Sequence, residues 1–214
     1  MIAVMVSRDE LRAAFESRHG KELQAKLDKC FVAICGLGGL GSNIAISLAR
    51  VGVGRLILID HDRVDITNIH RQQYFVDQIG MYKTKALSEN LARINPYMDF
   101  ETHTTKLCLE NMRELLSQAD IICEAFDKAD QKAMLSNFVL ENFPEKYLIS
   151  GSGMAGLDDS NLITTRKITS HFFICGDGKS DVETQGSLVA TRVMACAAHE
   201  AHKVVQIINN EIDS

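Results

Sequence analysis

The sequence predicts an α/β fold, a doubly wound and mostly parallel sheet with an antiparallel pair of strands as a C-terminal extension. Short apolar runs closed by Gly or Asp read as strands buried on both faces. Between them lie longer segments with apolar residues at helical spacing. Composition agrees: 214 residues, 46% hydrophobic, 24% charged and only two Pro suit one domain with a real core. Disordered, collagen-like and disulfide-stapled classes are excluded.

The elements follow in order. Arg8 to Asp28 reads as helical, with Leu11, Phe15, Leu23 and Leu27 as its apolar positions and a break near His19-Gly20. Cys30–Cys35 is the first strand, Gly36–Gly41 a glycine turn, Ser42–Val51 a helix and Arg55–Asp60 the second strand. Lys83–Ile94 is an amphipathic helix ended by Asn95-Pro96, because Pro disfavours helix in the residue before it. Met98–Thr104 reads as a third strand, Leu109–Ser117 as a helix, Asp120–Ala125 as a fourth strand, Ala129–Asn142 as a helix and Tyr147–Ser150 as a fifth strand. Asn161–Arg166 and Ile168–Cys175 form the antiparallel pair. A final helix spans Ser187–Asn209, with Val189, Val193, Ala197, Ala201, Val205 and Ile208 in one stripe.

Charge and cysteine usage narrow the class. A net charge of −5 speaks against a broad basic surface for nucleic acid. The six Cys show no Cys-x-x-Cys pair, and Cys30, Cys35, Cys123 and Cys196 lie in apolar or small-residue runs, where a free thiol packs as a small hydrophobe. The apolar Met1–Met5 is cut short by Arg8, Asp9 and Glu10, unlike a signal peptide. No apolar run approaches the ~18 residues of a membrane span. A cytoplasmic protein in a reducing compartment is expected.

In a doubly wound sheet, ligands bind beyond the C-terminal ends of the strands. Gly36, Gly38 and Gly41, with Gly39 between, make a Gly-x-Gly-x-x-Gly loop after a strand and before a helix, the context of a Rossmann-like nucleotide site. Missing Cβ atoms permit a tight turn and close phosphate approach, and the helix N-terminus offers unpaired N–H groups to an anion. Asp60 ends the second strand roughly 20 residues later, where a carboxylate holds ribose hydroxyls. A glycine turn can also serve strand–helix packing alone, and an NAD-dependent oxidoreductase shows the same features to this point.

The segment from Asp60 to Phe75 is polar and charged, where a hydride-transferring fold usually starts another helix. Arg71, and Lys83 after Gly80-Met-Tyr, place two cations near the loop, suited to β- and γ-phosphates and needless for a hydride donor. The alternative is that both are solvated surface charges.

With these residues in view, the chain resembles the ThiF/MoeB/HesA family of ubiquitin-activating-like adenylyltransferases, over roughly Cys30 to the C-terminus. The resemblance rests on Gly36-Leu-Gly-Gly-Leu-Gly41, Asp60-His-Asp62, Asn68-Ile-His-Arg-Gln72, Gly80-Met-Tyr-Lys83, Ile94-Asn-Pro96 and Cys123-Glu-Ala-Phe-Asp127 in this order and spacing. It is most similar to the family's short ThiF-like sulfur-carrier ThiS adenylyltransferases. It implies one adenylation domain over 1–214, made of an N-terminal helical segment (1–29), a nucleotide-binding core (30–150), and a carrier-tail and crossover region with the last helix (151–214).

The implied activity is ATP-dependent adenylation of the C-terminal Gly-Gly carboxylate of a ubiquitin-like sulfur carrier, for thiamin thiazole synthesis. A MoaD-like carrier for molybdopterin and a non-catalytic nucleotide-binding scaffold are the alternatives. Asp60, with Asp62, matches the ribose-binding position. Asn68, Arg71 and Lys83 match phosphate contacts, with Gln72 beside them, and Asp127 matches the aspartate that holds Mg²⁺; Asp127 could instead cap the following helix. An arginine finger comes from the N-terminal region, often of the dimer partner. Arg12 lies at the closest spacing, with Arg8 and Arg18 as competitors. A homodimer is implied, with sulfur supplied by a separate donor such as a cysteine desulfurase.

The chain departs from the family in the zinc-binding Cys-x-x-Cys pairs that many members carry. Only Cys175 and Cys196 lie after the fifth strand, toward the C-terminus, so no four-thiolate zinc site is expected within one chain. Cys175, at the edge of the Gly176–Gly186 loop, is either packed and inert or a covalent nucleophile. That loop either crosses over the carrier's tail or is mobile. Gly151-Ser-Gly-Met-Ala-Gly156 either lets a Gly-Gly tail pass or is simply a flexible turn. His199 and His202 on the last helix are expected to be exposed or satisfied rather than ligating.

Overall fold

The computed structural model describes residues 6–210. The expectation made on Met1–Met5 lies outside them. Helices α1 (Arg8–His19) and α2 (Lys21–Leu27) lead into β1 (Phe31–Cys35), α3 (Gly39–Val51), β2 (Arg55–Ile59), α4 (Lys83–Ile94) and β3 (Asp99–His103). Then come α5 (Leu109–Leu116), β4 (Ile121–Glu124), α6 (Ala129–Asn142), β5 (Tyr147–Gly151), β6 (Thr164–Lys167), β7 (Phe172–Gly176), α7 (Val182–Gln185) and α8 (Ala190–Ile208).

The strands form one seven-stranded sheet in the order β3-β2-β1-β4-β5-β7-β6. Every neighbouring pair is parallel except β6–β7, as the mostly parallel fold with an antiparallel extension requires. The antiparallel pair does not stand apart: β7 pairs with β5 and extends the main sheet. All five residues of β1 are buried, the consequence of helices on both faces. On one face Val32, Ile34, Leu56 and Leu58 pack with α3, α4 and α8, through Ile44, Leu48, Leu87 and Val204. On the other Ala33, Cys35, Ile57 and Ile59 meet Met112 and Leu116 of α5 and Leu135 and Val139 of α6.

Several elements differ from expectation in their bounds; β7, for one, begins at Phe172 rather than Ile168, and α8 at Ala190 rather than Ser187. Helix α3 begins at Gly39 rather than Ser42, because glycines of low intrinsic helix propensity form its first turn. A short helix, α7, lies inside the polar loop before α8. The predicted Asn161–Arg166 strand becomes a 3₁₀ turn at Ser160–Leu162 followed by β6. Chain order reverses across β1 and β4, whose C-terminal ends point to one crevice, the usual ligand position in such a sheet. No helix among the described residues is long and apolar enough to cross a membrane.

Candidate nucleotide site

A cavity of about 500 Å³ opens at that crevice, within the size range of small-molecule sites. It is lined by the turn after β1 (Gly36, Gly38, Gly39), the acids after β2 (Asp60, Asp62), the segment after β4 (Phe126, Asp127, Lys128) and the loop after β5 (Gly151–Ala155). Each strand therefore delivers its following residues to one place.

The glycine turn is sterically obligatory. A Cβ on Gly41 would lie 1.8 Å from the Gly36 carbonyl oxygen, and Gly36 itself sits at φ +92°, a region L residues rarely adopt. Gly41 thus serves the close approach of α3 to β1 and does not line the cavity, whereas Gly36, Gly38 and Gly39 do. No side chain caps the N-terminus of α3, so its first N–H groups are left for an anion. Asp60 braces the turn: its Oδ2 accepts from the Leu37 N–H and its Oδ1 from the Asp62 N–H, each at 2.7 Å. Beneath, the Tyr74 hydroxyl donates to the Leu37 carbonyl at 2.7 Å.

Charged groups gather at this end. Lys83, only 5% exposed, donates from Nζ to Asp62 Oδ2 at 2.8 Å and lies 3.8 Å from Asp60 Oδ2. Although burial pushes it up, the hydrogen bond and charge of Lys83 hold the Asp62 carboxyl below its ordinary value. Arg71 Nη2 donates to Asn68 Oδ1 at 3.0 Å. Burial pulls the Arg71 guanidinium down and the charge of Asp127 opposes this. Asp127 is exposed and is not the cap of α6, whose N-cap is Lys128 without a side-chain capping bond. Gln72 is buried, and its Oε1 has no hydrogen-bond partner. At a cavity wall that acceptor fits a ligand donor, since an unmatched buried acceptor is costly.

Sequence reasoning missed several groups. Lys106, Lys128 and Lys132 also line the cavity. Lys132 Nζ lies 2.8 Å from Glu124 Oε2 and donates to the Phe126 carbonyl at 3.1 Å, and Ser150 Oγ donates to Glu124 Oε2 at 2.5 Å. This fixes the strand ends under the cavity. The available signal was position: Glu124 and Ser150 end strands, and Lys128 and Lys132 begin the next helix.

Arg12 is not brought to this cavity in its own chain. It lies with Arg8 in a separate cleft, where it pairs with Asp28 at 2.5 Å and Glu16 at 3.0 Å. Arg18 is exposed on α1. Cys175 is fully buried, and burial pushes its thiol up to about 12, so it is protonated near neutrality. Thr165 Oγ1 bonds to His199 Nδ1 at 3.0 Å, which satisfies that imidazole. Among the described residues, the group of potential metal ligands within reach of one another is Asp60, His61 and Asp62, whose carboxylates already face Lys83.

The Gly176–Gly186 loop lies against Gly151–Gly156. The Asp177 N–H donates to the Gly153 carbonyl at 2.9 Å and the Gly178 N–H to the Ser152 carbonyl at 3.0 Å. The Ala155 N–H donates to Ser180 Oγ at 3.0 Å. Ser180, Asp181 and Val182 line the cavity beside Ser152–Ala155.

Comparison with known proteins agrees with this architecture. The chain is 34% identical over 139 residues to the adenylyltransferase and sulfurtransferase MOCS3 of Anopheles gambiae, covering 64% of this chain and 31% of the relative. It is 31% identical over 136 residues to the sulfur carrier protein adenylyltransferase of Thermus thermophilus, covering 63% of this chain and 45% of that one. The match thus spans less than half the length of these relatives. Among solved structures, Escherichia coli tRNA N6-threonylcarbamoyladenosine dehydratase, TcdA, in complex with ATP superposes with a TM-score of 0.85 at 19% identity, over 97% of this chain and 98% of that one. Escherichia coli MccB with ATP gives 0.68 at 23% identity, over 88% and 58%. The family model described as "ThiF family" matches residues 11–213, a span that holds all seven strands and both walls of the cavity, and the chain therefore belongs to the ThiF family.

Proposed function

We propose that the chain is an ATP-dependent adenylyltransferase that activates the C-terminal Gly-Gly carboxylate of a ubiquitin-like sulfur carrier. The observation that carries this is one cavity uniting a capless helix N-terminus, Asp60, Asn68, Arg71, Gln72, Lys83 and Asp127. A hydride-transfer cofactor has no use for Lys83 and Arg71 beside an exposed Asp127; a triphosphate does.

The carboxylate attacks the α-phosphorus of ATP, the bond to the β,γ-pyrophosphate breaks, and an acyl adenylate and pyrophosphate result. Such displacement needs alignment and charge compensation more than a protein nucleophile. Asp60, with Asp62 behind it, holds the ribose. Asn68, Arg71, Lys83 and the N-terminus of α3 hold phosphate oxygens, and Gln72 offers an acceptor to the nucleotide. Mg²⁺ would be held by Asp127 together with substrate phosphates, as Mg²⁺ commonly is, and supplies charge neutralisation at the triphosphate. In the homodimer we propose, the arginine finger is Arg12, or its neighbour Arg8 or Arg18, of a second copy.

A ThiS-like carrier for thiamin thiazole synthesis is our preferred acceptor, a MoaD-like carrier the alternative, with the sulfur supplied in the cytoplasm by a separate donor such as a cysteine desulfurase. A tRNA acceptor is a second reading, favoured by the end-to-end likeness to TcdA and disfavoured by the net charge of −5. Acceptor-dependent ATP–pyrophosphate exchange, run with ThiS-like carrier, MoaD-like carrier and bulk tRNA side by side, separates these. Exchange with a Gly-Gly carrier supports the proposal. Exchange with tRNA alone moves the acceptor to tRNA, and nucleotide binding with no exchange leaves the scaffold.

A further inference from the structure

Arg192, in the first turn of α8, is 4% exposed, an unusual place for an arginine. Its Nη2 meets Asp177 Oδ2 at 2.5 Å, and its Nη1 donates to the carbonyls of Asp158 and Asp159. Asp177 Oδ1 in turn accepts from the Lys179 and Ser180 N–H groups at 2.8 Å each. Ser180 Oγ then accepts from the Ala155 N–H at 3.0 Å. One buried guanidinium therefore ties three segments together: α8, the Gly176–Gly186 loop, and the chain that follows β5.

Gly153 is part of the device. It sits at φ +80°, and a Cβ there would lie 2.1 Å from Asp177 Oδ1. The Asp177 carboxyl is pushed up by burial, but the Ser180 and Lys179 amides and Arg192 hold it well below the ordinary carboxylate range. The loop so held places Ser180, Asp181 and Val182 in the cavity wall beside Ser152–Ala155. The Gly151–Ala155 wall is small-residue apart from Met154, with Ser180, Asp181 and Val182 facing it, and such a gap admits an extended chain with small side chains close to the backbone.

We propose that Arg192 and Asp177 are positioning residues that latch the Gly176–Gly186 loop against Gly151–Gly156, so setting the channel through which the acceptor's small-residue tail reaches the nucleotide. This rests on the adenylation reading for its kinetic consequence; the latch itself does not. Neither residue contacts the triphosphate groups, so the latch governs the acceptor and leaves ATP binding alone.

The test uses Arg192→Met, Asp177→Asn and the conservative Arg192→Lys in the full chain, with two readouts. Amide hydrogen exchange at Lys179 and Ser180 reports the loop, and ATP–pyrophosphate exchange with a Gly-Gly carrier reports KM for carrier and for ATP separately. Arg192→Met and Asp177→Asn are expected to lose protection and to raise the carrier KM by about tenfold or more, the scale of one charge-assisted hydrogen bond. The ATP KM should stay within about twofold, the signature of an interaction the nucleotide does not feel. Arg192→Lys keeps the charge and is expected to restore part of the carrier KM. Retained protection in both Met and Asn variants overturns the latch. Lost protection with an unchanged carrier KM, or an equal rise in both KM values, overturns the positioning role. If the wild type shows no exchange with any acceptor, adenylation is what fails; lost protection with unchanged calorimetric ATP affinity then still upholds the latch, and retained protection refutes it.

Discussion

One end of the cavity is built by side chains: Lys83 on Asp62, Arg71 on Asn68, and Asp60 on the glycine turn, all by bonds of 2.7–3.0 Å. At the other end the walls are two loops joined backbone to backbone, Asp177 to Gly153 and Gly178 to Ser152, with one buried ion pair, Arg192–Asp177, fixing them from behind. On the function proposed above, the first end presents fixed charge to the nucleotide and the second presents shape to the extended tail of the acceptor. The difference teaches that a single crevice can divide its work, with electrostatic groups near the switch point of the sheet and a steric channel where the sheet has been extended by β7 and β6.

The largest effect should come from the charged end. Lys83→Ala or Asp127→Ala should lower pyrophosphate exchange by roughly 10²–10³, the range for removing one preorganised electrostatic group. Activity within about threefold of wild type in both would sink their assigned roles. Gly41→Ala attacks the same end through packing. Its methyl has no room against the Gly36 carbonyl, and overpacking of this kind costs about 1–3 kcal/mol, measurable by denaturant unfolding. An unchanged midpoint would show that the turn can yield.

Beneath the channel end, Glu200 sharpens the contrast. It is fully buried, and its Oε2 has no hydrogen-bond partner. Burial, opposed by Lys132 and reinforced by Glu124, raises its carboxyl well above the ordinary value. A raised acid binds its proton more tightly when folded, so its contribution to stability declines as pH rises from the unfolded value of about 4.3 toward the folded one. Glu200→Gln abolishes that decline. Between pH 5 and 8 the variant's melting temperature should fall less than the wild type's by at least about 2 °C, the response to roughly 1 kcal/mol in a chain of this size. Parallel curves would mean that Glu200 is ionised in the folded state.

The smallest effect is expected at Cys175. Its thiol, raised to about 12 by burial, stays protonated at pH 8, and the thiolate is the nucleophilic form. Cys175→Ala should keep adenylation within about threefold, the margin for a group not used in the transition state. In the native protein iodoacetamide at pH 8 should label Cys108, which is partly exposed, before Cys175. Preferential labelling of Cys175 would reverse this assignment.

Most of the charged end was legible in the sequence. Gly36, Asp60, Lys83 and Asp127 follow strands or begin helices whose patterns are local, and the strand-end rule then gathers them; Arg71 lies in the turn-rich segment between β2 and α4 and was marked by its charge in that polar stretch. The channel end was legible only as loops. Arg192 lies beside the apolar stripe of the last helix, next to Val193 but not part of it, and arginine is ordinarily exposed, so nothing local marks it as buried. Its partner Asp177 and the carbonyls of Asp158 and Asp159 come from other segments. Lys132 likewise looks like a surface lysine until Glu124 is placed beneath it. Arg12 is a different case: the resemblance implied an arginine finger, often from a dimer partner, and within its own chain α1 carries Arg12 to Asp28 in a separate cleft.

By itself, then, the sequence determined the α/β class, the glycine turn, and the identity of the charged groups at the strand ends. These depend on periodicity, on missing Cβ atoms and on position next to strands, all of which are short-range. Only the tertiary structure decided that β7 joins β5, that Cys175 is buried, and that Arg192 closes a latch on Asp177. Those outcomes depend on which distant segments share a buried volume, where the cost of an unpaired charge selects partners that no local pattern announces.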